Sequence, residues 1–100
     1  MKTVTMKLIT IIAEPVLRER LLDDIRRLGA RGYTLTEVHG EGNRGIHASE
    51  WQGGNIKIEA LVAPETADRI MLHVAGGYFR DYAVVTYAST VEVVRGEKFA

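Results

Sequence analysis

Glycines at positions 40 and 42 bracket Glu41 and lead into Asn43 and Arg44. At the end of a strand, the backbone amides of such a run can form a concave anion site without any side chain. Arg44 adds a planar guanidinium whose fork matches phosphate. Two glycines alone are a weak signal, because a turn that needs positive φ uses them for another reason. Two more turns carry related chemistry: Arg95-Gly96-Glu97-Lys98 is basic, and Gly76-Gly77-Tyr78-Phe79-Arg80-Asp81 is glycine-bearing with one cation. No Walker loop is present, and the run Gly40-x-Gly42-x-x-Gly45 is not read as a dinucleotide-binding fingerprint.

Bond-breaking chemistry finds little to work with. His39, His47 and His73 are scattered and none has a metal-ligand spacing, so a surface or packing role is the ordinary reading. Ser49, Ser89 and the threonines have no base and orienting carboxylate that the sequence pairs with them. Asp23-Asp24 is expected on the solvated face of a helix. The chain has no cysteine, which excludes disulfides, thiolate metal sites and a thiol nucleophile. Trp51 lies between polar residues, where partner contact and local packing stand equal.

The elements that must position these turns follow the apolar pattern. Residues 4–13 are rich in β-branched and apolar side chains and read as a largely buried first strand, stopped by Glu14-Pro15. Leu17, Leu21, Ile25 and Leu28 recur at helical spacing, and Gly29 and Gly32 mark that helix's end. Residues 33–40 alternate with period two and form a second strand. Residues 41–54 form a glycine-punctuated loop of a length that tends to be functional. Asn55 to Val62 is a third strand, and Ala63-Pro64 opens a second helix with Ala67, Ile70, Met71 and Val74 inward. Gly76-Gly77 is expected to end it. Tyr82 to Ala88 reads as a fourth strand, with a short extra one over residues 90–94.

The resulting order, β-α-β-β-α-β, predicts an α+β ferredoxin-like fold, with a four-stranded antiparallel sheet and two helices on one face. The other face has no helix to cover it, and a neighbouring subunit is the simplest cover. One domain spans residues 1–100, enough to bury about two-thirds of the unfolded surface. Thirteen basic residues balance thirteen acidic ones, so no net charge draws the chain to nucleic acid or an anionic membrane. Neither a signal-peptide pattern nor an apolar run of membrane-spanning length is present, and a cytoplasmic location is expected.

The run Gly32-Tyr33-Thr34-Leu35-Thr36-Glu37-Val38-His39-Gly40-Glu41-Gly42 resembles the strand leading into the T-loop of PII signalling proteins. Asn55-Ile56-Lys57-Ile58-Glu59 resembles the strand leaving it. Gly77-Tyr78-Phe79-Arg80-Asp81-Tyr82 is similar to the B-loop, and Val91-Glu92-Val93-Val94-Arg95-Gly96-Glu97 to the C-terminal segment. The resemblance implies T-, B- and C-terminal loops at about 41–54, 76–82 and 95–100.

It also implies a non-enzymatic homotrimer with nucleotide sites between subunits. Gly32, Tyr33 and Thr34 would meet the adenine, with Glu59, Ala60 and Leu61 on the same side. Gly40, Glu41, Gly42, Asn43 and Arg44 would reach ribose and phosphate from the neighbour, helped by Phe79, Arg80 and Asp81. Arg95 and Lys98 complete the set. Glu92 and Val94 stand where nitrogen-sensing members carry two arginines, which disfavours ATP relative to ADP or AMP. The T-loop is shorter than theirs and has no tyrosine to be uridylylated.

These departures resemble the branch associated with bicarbonate transport and carboxysomes. That branch implies bicarbonate as a second anion at Gly42 and Arg44, and a transporter or other carbon-metabolism protein as partner. Two alternatives stand beside this reading: a PII-like sensor of another effector or metal, and a dimeric ferredoxin-like enzyme.

Overall fold

The structure, a computed structural model, describes residues 1–40 and 54–99. Six main elements follow in order: β1 (Val4–Ala13), α1 (Arg18–Leu28), β2 (Thr34–Val38), β3 (Asn55–Val62), α2 (Pro64–Tyr78) and β4 (Val84–Val93). Short 3-10 turns at Pro15–Leu17 and Gly96–Lys98 precede α1 and follow β4. The sheet order is β2-β3-β1-β4 with every neighbour antiparallel, the ferredoxin-like arrangement that the element order implies.

Strand pairing sorts the side chains onto two faces. Ile9 pairs with Ala60 and Ala88, and Ile11 with Ile58 and Thr86, so odd positions of β1 and even positions of β3 share a face. That face buries Ile9, Ile11, Ala13, Ile56, Ile58, Ala60 and Val62 against Leu21 and Ile25 of α1 and Ala67, Ile70 and Val74 of α2. The helical stripe expected for α1 is the one buried, with Leu22 added beside it. The opposite face carries Leu8, Thr10 and Ile12 of β1, Lys57, Glu59 and Leu61 of β3, and Val85, Tyr87 and Val91 of β4. Among the described residues no α-helix lies on it. Val85 and Tyr87 remain 48% and 49% exposed.

Local chemistry explains most boundaries. Gly29 closes α1 with φ +124°, its N–H reaching the carbonyls of Ile25 and Arg26 at 3.1 Å. A Cβ there would sit 3.3 Å from the Thr66 methyl carbon, so glycine suits both the turn and the close approach of α2. Pro64 occupies the first turn of α2, where its missing N–H costs nothing. Glu14 is buried and its Oε2 accepts the Ala83 N–H at 2.8 Å, tying the end of β1 to the start of β4.

Three expectations need correction. Gly76-Gly77 does not end α2, which continues to Tyr78, so the segment read as a loop over 76–82 is helical through Tyr78. Each helical glycine costs about 1 kcal/mol relative to alanine, and burial of Tyr78 offsets it. The short strand expected over 90–94 is the far half of β4, which pairs with β1 from Val84 to Val93 and begins two residues later than expected. Asp24 is not solvated; it is 9% exposed between the two helices.

Candidate functional site

The strand register gives the sheet two distinct ends. At one end lie Ala13, Val38, Asn55 and Val84, and beyond them Gly40, Gly54 and the Phe79–Ala83 loop. Val4 and Val93 mark the other, where the chain turns at Arg95.

A cleft of about 330 Å³ opens nearer this second end, at the start of β2. Leu8, Gly32, Tyr33, Thr34, Glu59, Ala60, Leu61 and Phe99 line it. Six of these, Gly32, Tyr33, Thr34, Glu59, Ala60 and Leu61, are residues the sequence singled out, brought together from β2, the segment before it and β3. Leu8 and Leu61 give an apolar floor, while Thr34 and Glu59 supply hydrogen-bonding groups at its edge. Tyr33 is 40% exposed, and the Arg26 guanidinium lies 5.4 Å over its ring. A second hollow of about 320 Å³ shares Gly32 and Tyr33 and is otherwise lined by Ile25, Arg26, Ala30 and Arg31.

Phe99 is the wall that sequence reasoning missed. Arg95 takes φ +68°, the left-handed region that side chains rarely adopt. The chain then reverses into the Gly96–Lys98 turn, closed by the Lys98 N–H on the Arg95 carbonyl at 3.1 Å. This turn packs against β1, where Met6 is buried although its register places it on the helix-free face. Arg95 and Lys98 thus flank the bend that brings Phe99 to the cleft. Nothing local in the sequence announces a non-glycine residue in the left-handed region.

The other singled-out residues do not join the cleft. Gly40 ends β2's extension, where a Cβ would meet nothing within 4 Å; its conformation is not left-handed, so no turn demands glycine there. Phe79, Arg80 and Asp81 follow α2 at the same end of the sheet. Leu61 lies five residue steps along β3 from Ile56, about 16 Å at ~3.3 Å per step. One copy of the chain therefore holds the two groups apart. Glu41, Gly42, Asn43, Arg44 and Trp51 lie outside the described residues, as does the rest of the loop up to Gly53.

A polar cluster between the helices was also missed. Asp24 Oδ1 accepts from Arg27 Nη2 at 2.8 Å, and Oδ2 from His73 Nε2 at 3.0 Å and from the Tyr78 hydroxyl. Burial works to raise the Asp24 pKa, but the bonds from Tyr78, Arg27 and His73, with the His73 charge, bring it below the usual carboxylate value. Burial and the Asp24 carboxylate push the Tyr78 phenol up to about 12. Arg20 stacks 4.8 Å over the Tyr78 ring. Arg20, Asp24 and Arg27 share one helical face by their spacing, but nothing in the sequence names Tyr78 as their partner.

The model of the family "Nitrogen regulatory protein P-II" matches residues 6–98. The chain belongs to the P-II family. The nitrogen regulatory protein GlnK of Escherichia coli K12 is 30% identical over 74 residues, and the match spans 66% of each chain. Among solved structures, a PII-like signalling protein from Thermus thermophilus is 45% identical over the full length of both chains, with a TM-score of 0.87. CPII from Thiomonas intermedia K12, solved with ADP and bicarbonate, is 26% identical over 99% of this chain and 98% of that one, at a TM-score of 0.85. The same CPII has also been solved with ADP, AMP and bicarbonate, 26% identical and at a TM-score of 0.84 over 98% and 96% of the two chains. P-II members are regulatory proteins. Among the described residues no helix is long and apolar enough to cross a membrane.

Proposed function

We propose that this P-II member is a cytoplasmic homotrimeric sensor that binds adenine nucleotides in clefts between its subunits and reports on inorganic carbon. One observation carries the reading. The aromatic and apolar cleft at Gly32–Thr34, Glu59–Leu61 and Phe99 suits a flat heterocycle, and the same chain keeps Gly40 and Phe79–Asp81 at the sheet's other end. A neighbouring copy, docked on the helix-free face, brings the missing half.

In this arrangement the base lies between Phe99 and the floor of Leu8 and Leu61, with Thr34 and Glu59 at its polar edge. Arg80 of the neighbouring copy approaches the phosphates, with Gly40 to Arg44. The CPII ligands support ADP or AMP as the nucleotide and bicarbonate as the second anion, held at Gly42 and Arg44. Glu92 stands at the end of β4 with its Oε1 bonded by Thr3 Oγ1 at 2.8 Å, and Val94 follows it, 52% exposed. A carboxylate and an apolar side chain at these positions favour ADP or AMP over a third phosphate. Residues 41–54 carry the signal to a transporter or other carbon-metabolism protein.

Calorimetry with ATP, ADP and AMP, each with and without bicarbonate, tests this. ADP or AMP should bind at least as tightly as ATP, and bicarbonate should change the affinity of at least one nucleotide. Strong ATP preference with no bicarbonate effect would remove the inorganic-carbon assignment. Arg44→Ala should weaken ADP by about 1.5–3 kcal/mol, the range for a hydrogen bond to a charged group, and leave adenosine nearly unchanged. Equal losses for both would place Arg44 away from the phosphates.

A further inference from the structure

We propose that Asp24 is a positioning residue that holds the Phe79–Arg80–Asp81 loop in place through Tyr78. The function of that loop rests on the nucleotide reading above; the way it is held rests on geometry alone.

Tyr78 is the last residue of α2 and is 1% exposed. It is fixed at two points. Its hydroxyl donates to Asp24 Oδ2 on α1, and its carbonyl accepts the N–H groups of Asp81 at 3.2 Å and Tyr82 at 3.0 Å. The first bond ties the end of α2 to α1, and the other two shape the loop that follows. Asp24 is itself held from both helices, by Arg27 of α1 at 2.8 Å and His73 of α2 at 3.0 Å. Arg20 covers one side of the Tyr78 ring, while His73 and Tyr82 meet it at 6.2 and 6.1 Å between centroids.

A buried carboxylate is a poor way to gain stability, since well-packed apolar side chains in such a site do as well or better. It supplies direction instead: Oδ2 fixes where the phenol oxygen lies. The need for such an anchor is local. Gly76 and Gly77 make the last turn of α2 a weak helix former, and without a fixed Tyr78 this end would fray and release Arg80. Asp24 touches no ligand in this scheme.

Tyr78→Phe removes the hydroxyl and keeps the ring, the Arg20 stacking and the carbonyl. In the unliganded protein, amide exchange at Asp81 and Tyr82 should quicken by roughly tenfold while core amides such as Ile70 do not change, the mark of a local opening. Unchanged exchange at Asp81 and Tyr82 overturns the anchor. Should Tyr78→Phe fail to fold, Asp24→Asn, which keeps size and shape, takes its place.

Affinities for ADP and adenosine then test the consequence in the wild type, Tyr78→Phe, Arg80→Ala and the double variant. Tyr78→Phe should weaken ADP about fivefold, close to 1 kcal/mol, with little effect on adenosine and no further loss once Arg80 is gone. Equal losses with and without Arg80 overturn the positioning role. If Arg80→Ala leaves ADP binding intact, the placing of this loop at the phosphates falls, and the exchange rates alone decide the anchor.

Discussion

Asp24 and Tyr78 share a hydrogen bond yet titrate at opposite ends of the pH scale. The folded state holds the Asp24 carboxyl below its usual value, so between the two values the unfolded chain binds more protons. That stabilisation is present above the unfolded pKa of about 3.9 and is lost as pH falls through the folded value. Tyr78 runs the other way, because its pKa is raised to about 12. Its contribution is complete below the ordinary phenol value near ~10 and disappears as pH rises through the folded one. Urea midpoints against pH should therefore show a flatter acid limb for Asp24→Asn and a flatter alkaline limb for Tyr78→Phe. An alkaline limb of unchanged slope in Tyr78→Phe would assign that loss to other groups. Gly54 gives a second prediction at this scale. It has φ +71°, and a Cβ there would lie 2.6 Å from His39 Nδ1 and 2.7 Å from the Val38 carbonyl oxygen. Gly54→Ala should cost about 1–3 kcal/mol, as strained backbone positions do, measured by urea unfolding. His39→Ala in the same chain should recover only part of it, because the Val38 oxygen is backbone and stays where it is.

The helix α2 shows where an element's limits stop being a local matter. Gly76 and Gly77 read as a terminator, but the helix runs through them to bury Tyr78, whose partner Asp24 lies 54 positions earlier. No window of sequence contains that contact. Both glycines are exposed, have ordinary helical conformations, and would place a Cβ in open space. Gly76→Ala or Gly77→Ala should therefore raise stability by about 0.4–1 kcal/mol, seen as a higher melting temperature. A lower melting temperature would mean that these positions are covered in the assembled protein. By contrast β1 and β3 begin and end where their apolar patterns do, because Pro15, Gly54 and Pro64 stop them chemically. The α1 stripe was legible for the same reason, since Leu17, Leu21 and Ile25 face the core at helical spacing. Half of the candidate site followed from the motif around Gly32 and Glu59. Phe99 did not, because its position depends on a left-handed Arg95 and on where β4 ends. The β4 strand itself was read as two because Ser89 interrupts its apolar run, whereas its pairing with β1 continues past that residue unbroken.

At the scale of the whole molecule, the proposed assembly rests on the sheet face away from α1 and α2. Leu8 and Ile12 sit at its centre, and Val85, opposite Ile12, and Tyr87, opposite Thr10, stand about half exposed at its β4 side. On the β3 side, the Asn55 side-chain oxygen is buried with no hydrogen-bond partner among the described residues. In the proposed trimer, three-fold closure would cover this face and would bring the Phe79–Asp81 loop of one copy to the cleft of the next, which a single chain keeps about 16 Å away along the strands. Light scattering should return three times 11.1 kDa. Val85→Glu places a carboxylate in the face away from any cation of its own strand, and burying an unpaired charge is prohibitive. The variant should dissociate into monomers that keep their secondary structure by circular dichroism, and ADP affinity should fall with the loss of assembly. Monomers that bind ADP as tightly as the wild type would mean that one chain forms the whole site. A trimer that binds no adenine nucleotide would leave the assembly standing and remove the ligand.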